Sequence, residues 1–121
     1  MLLAIDYARK AAAEGDYAIG AVIVHPERGV LVGAGNRVKI DEDPTNHAEV
    51  IAIRRAAEIC KNRHLDDFIL YATHEPCPMC TSVAIWAKLS GIVYGAKIED
   101  MAEYGTKKGN HDYSWRTIDI P

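Results

Sequence analysis

The chain has 121 residues, of which 49% are hydrophobic and 26% are charged, and this composition is typical of one compact domain with a hydrophobic core. The formal net charge of −3 argues against an extended nucleic-acid-binding surface, and the apolar runs are too short for a transmembrane span. Three cysteines are too few for a disulfide framework, so we expect a reducing, cytoplasmic location.

The first third of the sequence predicts a helix followed by a hairpin. Apolar residues recur at helical spacing up to Ala13, and Gly15 follows where a helix would end. Residues 18–25 and 30–35 are rich in β-branched residues and are separated by a Pro-Glu-Arg-Gly turn, which predicts an antiparallel pair of strands. The two glycines of the second strand, Gly33 and Gly35, indicate close approach of a ligand or another backbone.

The rest of the sequence alternates helices and strands. After a polar loop, a helix is expected to begin at Thr45 or Asn46 and to run to about Ile59. The other predicted elements are a strand over residues 68–73, a helix from Met79 to about Lys88, a strand over residues 91–96 and a weak helix over residues 99–104. Residues 105–112 are predicted to be a polar segment. Strands joined through helices imply parallel crossovers, so we expect a single three-layer α/β/α domain over residues 1–121, with a mixed sheet.

Two short stretches carry residues that are typical of a metal site. Residues 46–49 read Asn-His-Ala-Glu, and residues 76–80 read Pro-Cys-Pro-Met-Cys. Catalytic zinc takes three protein ligands and leaves one position to water. His47, Cys77 and Cys80 supply such a set, so the sequence predicts one zinc ion per chain.

Glu49 is left over once the three ligands are assigned. Residues two apart on a helix do not face the same way, so Glu49 is better placed to reach a metal-bound water than to chelate beside His47. We therefore expect a hydrolytic centre in which Glu49 is the catalytic acid and base. A structural zinc is the alternative, and His74 is the nearest candidate for a fourth ligand.

These motifs resemble those of the cytidine deaminase superfamily, and the resemblance extends over nearly the whole chain. It implies a mixed five-stranded sheet, attack of zinc-bound hydroxide on an amino-substituted ring with release of ammonia, and a homodimer or larger assembly. Residues 43–49 and 76–80 are most similar to the branch that holds bacterial guanine deaminases, tRNA adenosine deaminases and fungal-type cytosine deaminases.

The resemblance also implies substrate contacts. Asn36 matches the family Asn that hydrogen-bonds the substrate ring, and Ala48 lies inside the first zinc motif. Trp86 belongs to a helix similar to a Trp-containing helix of guanine deaminases, and it could line the pocket. Asp100 lies in a stretch that resembles the segment whose Asp contacts the purine. From the residues alone, Asn36 could instead be a turn residue, Trp86 a core residue and Asp100 a helix N-cap.

The leading prediction is a hydrolase that deaminates a free nucleobase or nucleoside, preferably a guanine-like purine. The first alternative is a tRNA adenosine deaminase, which needs a basic flank; the candidates are Arg54, Arg55, Lys107, Lys108 and Arg116. A cytosine or cytidine deaminase is a further alternative. Outside the enzymes, a catalytically silent zinc-bound subunit is possible, and the intact Glu49 argues against it. No membrane partner is expected.

Overall fold

The computed structural model describes residues 1–109, which contain four helices and four strands. The elements in chain order are α1 (Leu2–Ala13), β1 (Gly20–His25), β2 (Gly29–Gly35), α2 (Ala48–Cys60), β3 (Ile69–His74), α3 (Pro78–Trp86), β4 (Gly91–Ala96) and α4 (Ile98–Lys107). Every predicted helix and strand is present, with ends shifted by up to three residues. None of these helices is both long and apolar enough to cross a membrane, within the range described.

The strands form one mixed sheet in the order β2-β1-β3-β4. β1 pairs antiparallel with both β2 and β3, whereas β3 and β4 are parallel. The predicted hairpin and the predicted mixed sheet are therefore confirmed.

The five-stranded sheet implied by the family resemblance is wrong for residues 1–109, where the sheet has four strands. The chain turns into α4 directly after β4, because two carboxylates accept the first N–H groups of a helix there. Glu75 bonds the N–H of Ile98, and Asp100 bonds the N–H of Lys97. α4 also extends past its predicted end and includes the buried Gly105, while the end of the predicted polar segment, residues 110–112, lies outside the described residues.

One face of the sheet is lined by glycines, and α1 packs on that face. A Cβ atom at Gly20 would overlap the carbonyl oxygen of Ala4, and one at Gly35 would lie 2.9 Å from the carbonyl oxygen of Tyr7. Glycine therefore lets the backbone of α1 approach β1 and β2 more closely than any other residue would. The close approach predicted at Gly35 is a contact with another backbone.

The opposite face of the sheet carries the larger apolar residues and packs against α2 and α3. Ile23 and Leu70 are fully buried there, and they belong to one hydrophobic core with Ile51 and Ile53 of α2 and Ala84 of α3. Since side chains alternate between the two faces of a strand, helices cover both sides of this sheet. The predicted three-layer arrangement is confirmed.

Candidate metal centre

Two helix N-termini meet beside the sheet, and each begins at a predicted zinc ligand. His47 is the N-cap of α2, Cys77 is the N-cap of α3, and Cys80 lies in the first turn of α3. Proline at the start of α3 suits this arrangement, because its ring sets the backbone angle for the first helical position. Helix N-termini also carry partial positive charge, which favours thiolates.

The prediction that Thr45 or Asn46 begins α2 is wrong, because their side chains are used elsewhere. The hydroxyl of Thr45 donates to Asp43, and the amide of Asn46 donates to Asp41. The helix starts later as a result, and His47 precedes its first turn in extended conformation.

The three ligand atoms are spaced as zinc requires. Nδ1 of His47 lies 3.6 Å from Sγ of Cys77 and 3.4 Å from Sγ of Cys80, and all three atoms lie within 4.8 Å of one another. Zinc–sulfur and zinc–nitrogen bonds of about 2.3 and 2.0 Å at tetrahedral angles put ligand atoms about 3.5–3.8 Å apart. The residues therefore fit a zinc ion.

The fourth protein ligand of a structural zinc site is missing from the part of the chain that the structure describes. The metal-ligating cluster found in residues 1–109 consists of His47, Cys77 and Cys80. His74 is buried, and its Nδ1 lies 2.8 Å from the carbonyl oxygen of Glu75 instead. Residues 1–109 thus leave one coordination position to water, as in catalytic zinc sites.

Hydrogen bonding prepares Cys77 as a thiolate. The bond with the side chain of Cys80 lowers the pKa of Cys77 to about 4 against the effect of burial, and the imidazole of His47 acts in the same direction. The backbone N–H of Cys80 also donates to Sγ of Cys77 over 3.5 Å. The hydrogen bond between the two side chains, together with burial, raises the pKa of Cys80, which is fully buried. A metal ion at this position replaces the remaining proton.

Glu49 lies in the first turn of α2 and is almost completely buried, with 3% of its surface exposed. Its Oε2 atom has no hydrogen-bond partner among residues 1–109. Burial raises the pKa of Glu49. A buried carboxylate oxygen without a partner is costly and uncommon, so its presence beside three metal ligands indicates that water or substrate completes its hydrogen bonding.

Asn36 directly follows β2 and is 2% exposed, so it is not a turn residue at the surface. Its amide nitrogen donates to Oδ1 of Asp16 over 2.9 Å. The backbone N–H of the next residue, Arg37, donates to the carbonyl oxygen of Asn46 over 3.0 Å. Asn36 therefore adjoins the segment that leads into His47.

Asp100 lies in the first turn of α4 and is exposed. Its carboxylate accepts the backbone N–H of Lys97 over 3.2 Å, so Asp100 is the third residue of a capping box in which Lys97, and not Asp100, is the N-cap. The start of α4 lies beside the segment that carries Cys77, because the N–H of Ile98 donates to Oε2 of Glu75 over 3.0 Å. The substrate contact of Asp100 stays a prediction.

The other two predicted substrate contacts lie in different surroundings. Ala48 is fully buried and its methyl group belongs to the core, so only its backbone could reach a substrate. Trp86 is 79% exposed, which excludes the alternative that it is a core residue in this chain. It ends α3, and nine residues of helix place it about 13 Å from Cys77 along the axis. The structure does not bring Trp86 together with the zinc ligands.

Two residues near the site were not found from the sequence. Asp16 holds the side chain of Asn36, and Glu75 joins the Cys77 segment to α4. Asp16 follows a helix-ending glycine, where an acidic residue is ordinary. Glu75 has a weak signal, since it immediately precedes the second zinc motif.

Comparison with known proteins agrees with this geometry. Residues 1–96 match the cytidine and deoxycytidylate deaminase zinc-binding region. The guanine deaminase of Bacillus subtilis is 42% identical over 103 residues, which are 84% of this chain and 63% of that protein. The tRNA-specific adenosine deaminase of Haemophilus influenzae is 38% identical over 96 residues, which are 79% of this chain and 56% of that protein. The chain thus spans about three fifths of the length of these relatives.

The fold agrees as well. The X-ray structure of the Bacillus subtilis guanine deaminase superposes with a TM-score of 0.81 at 32% identity, covering 98% of this chain and 83% of that one. The matched region includes both zinc motifs, so the predicted zinc cofactor is confirmed. The chain belongs to the cytidine and deoxycytidylate deaminase zinc-binding family.

Proposed function

We propose that this chain is a zinc-dependent hydrolytic deaminase of a nucleobase or nucleoside, with a guanine-like purine as its preferred substrate. The observation that carries the proposal is the buried carboxylate of Glu49, whose Oε2 has no hydrogen-bond partner within residues 1–109. A structural zinc site, or a catalytically silent subunit, has no use for such a group beside an open coordination position. A hydrolytic site needs it to move protons.

The site residues account for the proton transfers of a deamination. Zinc, when bound, supplies a water molecule whose pKa is lowered towards neutrality. Glu49 accepts a proton from this water as the oxygen attacks the ring carbon that bears the amino group, and it passes the proton to the ring nitrogen. The second water proton goes to the amino group, which leaves as ammonia while the carbon keeps the oxygen. The raised pKa of Glu49 suits a group that both accepts and donates protons near neutral pH.

The preference for a guanine-like base is supported by two side chains and one relative. An ionised Asp100 only accepts hydrogen bonds, which suits the N–H edge of guanine. The amide of Asn36 offers both a donor and an acceptor to a ring. The 42% identical relative in Bacillus subtilis is a guanine deaminase.

Ammonia release tests the proposal. The zinc-loaded protein is assayed against guanine, adenine, cytosine and their nucleosides, with the Glu49→Gln variant as the background. We expect ammonia from guanine at a rate far above this background. Release from cytosine or cytidine alone would overturn the purine preference, and no release from any of these compounds would overturn the small-molecule function.

A tRNA adenosine deaminase is the second candidate, and the 38% identical relative in Haemophilus influenzae favours it. Of the basic residues it would need, Arg54 and Arg55 are exposed on α2, but Lys107 is paired with Glu103 over 2.7 Å. Arg116 lies outside the described residues. This enzyme would convert adenosine to inosine in an anticodon stem-loop and ignore free bases, and its binding would weaken steeply with salt.

We also infer a homodimer in the cytoplasm. The dimer rests on the family resemblance, and the location on cysteines that form no disulfide among residues 1–109. Sedimentation of the zinc-loaded protein at the mass of one chain would contradict the dimer.

A further inference from the structure

Asp16, in the connection between α1 and β1, is a buried carboxylate with a complete set of hydrogen bonds, and 7% of its surface is exposed. Oδ1 accepts the amide N–H of Asn36 over 2.9 Å and the backbone N–H of Tyr17 over 2.8 Å. Oδ2 accepts the backbone N–H groups of Lys39 and Ile40 over 2.9 and 3.0 Å. The carboxylate therefore joins the α1–β1 connection to the loop that follows β2.

The ionised state of Asp16 decides which end of the Asn36 amide faces it. Burial raises the pKa of Asp16, but the hydrogen bonds from Asn36 and from the three backbone N–H groups outweigh burial and lower it overall. An ionised carboxylate only accepts hydrogen bonds, so the nitrogen of the Asn36 amide must face Asp16 and the oxygen must point away.

We propose that Asp16 is a positioning residue, which orients the Asn36 amide so that its carbonyl oxygen and its second N–H face the substrate ring. This inference rests on the proposed deaminase function. The hydrogen bond from the backbone N–H of Arg37 to Asn46 places Asn36 beside the segment that leads into His47. The orientation of the Asn36 amide therefore affects the site. Without Asp16, the amide has two orientations of similar shape that offer the ring opposite hydrogen-bonding groups.

Asp16→Asn tests the proposal because the four hydrogen-bond partners of Asp16 differ in how they can adapt to an amide. The three backbone N–H groups can only donate, whereas the Asn36 amide can donate or accept. If the new NH₂ group replaces Oδ2, it faces two backbone donors, at Lys39 and Ile40. If it replaces Oδ1, it faces one backbone donor, at Tyr17, and the Asn36 amide, which can rotate to offer its oxygen. The second placement leaves fewer donors unpaired, so this variant should reverse the Asn36 amide.

A double-mutant cycle on the zinc-loaded protein separates orientation from folding. We expect Asp16→Asn to lower kcat/KM by about 10- to 150-fold, since a hydrogen bond to a charged group is worth about 1.5–3 kcal/mol and 1.4 kcal/mol is tenfold. In an Asn36→Ala background the same change should cost less than about threefold. Full, additive losses in both backgrounds would overturn the proposal.

Asp67→Asn is the matched control. Asp67 is exposed and precedes β3, at the opposite end of that strand from the second zinc motif. The kcat/KM of Asp67→Asn should therefore equal that of the wild type.

The side-chain amide signals of Asn36 in a ¹⁵N-correlated NMR spectrum test the geometry without substrate. In the wild type they should be protected from solvent exchange, and Asp16→Asn should shift them while zinc content stays at one equivalent. Unchanged signals would overturn the proposal. If the wild-type protein releases no ammonia from any substrate, the deaminase function fails, but these signals still decide whether Asp16 orients Asn36.

Asn36→Asp provides a second variant if Asp16→Asn folds poorly. Two facing carboxylates repel each other, and combining both changes restores one donor and one acceptor. We expect the double variant to have a higher Tm than Asn36→Asp alone; an equal or lower Tm would contradict a direct Asp16–Asn36 contact.

Discussion

Glu49 and Glu58 belong to the same helix but lie in opposite environments. Glu49, in the first turn of α2, is 3% exposed and lies two residues after a zinc ligand, whereas Glu58 near the other end is exposed to solvent. Burial raises the pKa of Glu49. At the scale of single residues, burial therefore separates the proposed proton-transfer group from ordinary acidic residues.

Replacing Glu49 by Gln should lower kcat by at least about 100-fold, because general acid–base catalysis contributes about 10²–10⁴-fold. Gln keeps the size and polarity of the side chain, so zinc content should not change. Steady-state kinetics and metal analysis check both expectations. Glu58→Gln, on the same helix, is the control and should behave as the wild type; a Glu49→Gln variant with a tenth of the wild-type kcat would contradict the assigned role.

Asp100→Ala should lower kcat/KM for guanine by about 10- to 150-fold, because a charge-assisted hydrogen bond is worth about 1.5–3 kcal/mol. The neighbouring Glu99 is a matched control, since both residues are exposed and acidic in the first turn of α4. Removing either weakens the interaction with the helix dipole, but Asp100→Ala also loses the hydrogen bond from the backbone N–H of Lys97, so it should lose more Tm than Glu99→Ala. An equal loss of kcat/KM in Glu99→Ala would show that Asp100 acts only through the helix.

At the scale of elements, the packing of α1 depends on glycine. The backbone of α1 lies against β1 and β2 at Gly20 and Gly35, and any side chain there would meet backbone atoms that cannot move aside. α1 thereby holds the α1–β1 connection, which contains Asp16, against the loop that contains Asn36.

Gly20→Ala should lower the free energy of unfolding by about 1–3 kcal/mol or more, because overpacking a tight contact costs about this much. Its Cβ would lie 2.6 Å from the backbone nitrogen of Ala8. Gly91→Ala is the matched control, since Gly91 also begins a strand and has nothing within 4 Å of a Cβ. Urea denaturation measures both. Equal midpoints for the two variants would contradict the close packing of α1.

At the scale of the whole molecule, the metal joins the two helices that connect the last three strands in chain order. α2 lies between β2 and β3, α3 lies between β3 and β4, and the zinc ligands stand at the start of both helices. A ligand that binds only the folded state stabilises it by mass action, by about 4 kcal/mol at a free concentration 1,000 times Kd.

Removing zinc with a chelator should therefore lower Tm on the order of 10 °C. Cys77→Ser lacks one zinc ligand, so its Tm without chelator should already be as low as that of the zinc-free wild type. Chelator should lower its Tm no further. Cys60→Ser is the control, because Cys60 is half-buried and outside the metal cluster, and it should respond like the wild type. Calorimetry with and without chelator measures the difference, and an unchanged wild-type Tm would contradict the structural contribution of the metal.

Asp16 makes stability depend on pH in a defined direction. Its pKa in the folded chain lies below the ordinary value of 3.8, so the unfolded chain binds this proton more readily. The contribution of Asp16 to the free energy of unfolding is therefore fully present at pH values above 3.8 and is lost as the pH falls through the pKa of the folded chain. Urea denaturation from pH 7 to pH 3 should show a smaller loss of unfolding free energy in Asp16→Asn than in the wild type. Asp67→Asn should keep the wild-type slope; equal slopes in all three proteins would contradict the shift.

Local patterns in the sequence were enough to predict every helix and strand of residues 1–109 and the three zinc ligands. Helical and strand periodicity and glycines after helices act over a few residues, and the zinc ligands lie in two short motifs, at residues 46–49 and 76–80, so these features can be read without a structure. The exact start of α2 could not be predicted in this way, because Thr45 and Asn46 had competing partners in their own loop.

The sequence by itself determined which residues bind the metal, and only the tertiary structure decided what surrounds them. The contact between Asp16 and Asn36 joins residues 20 positions apart, and no local pattern announces it. The burial of Glu49 and the exposure of Trp86 likewise depend on which faces of α2 and α3 meet the sheet. The strand order β2-β1-β3-β4 depends on the pairing of β1 with β3, which are far apart in the chain. Such features arise from contacts between distant segments, and these contacts exist only once the chain has folded.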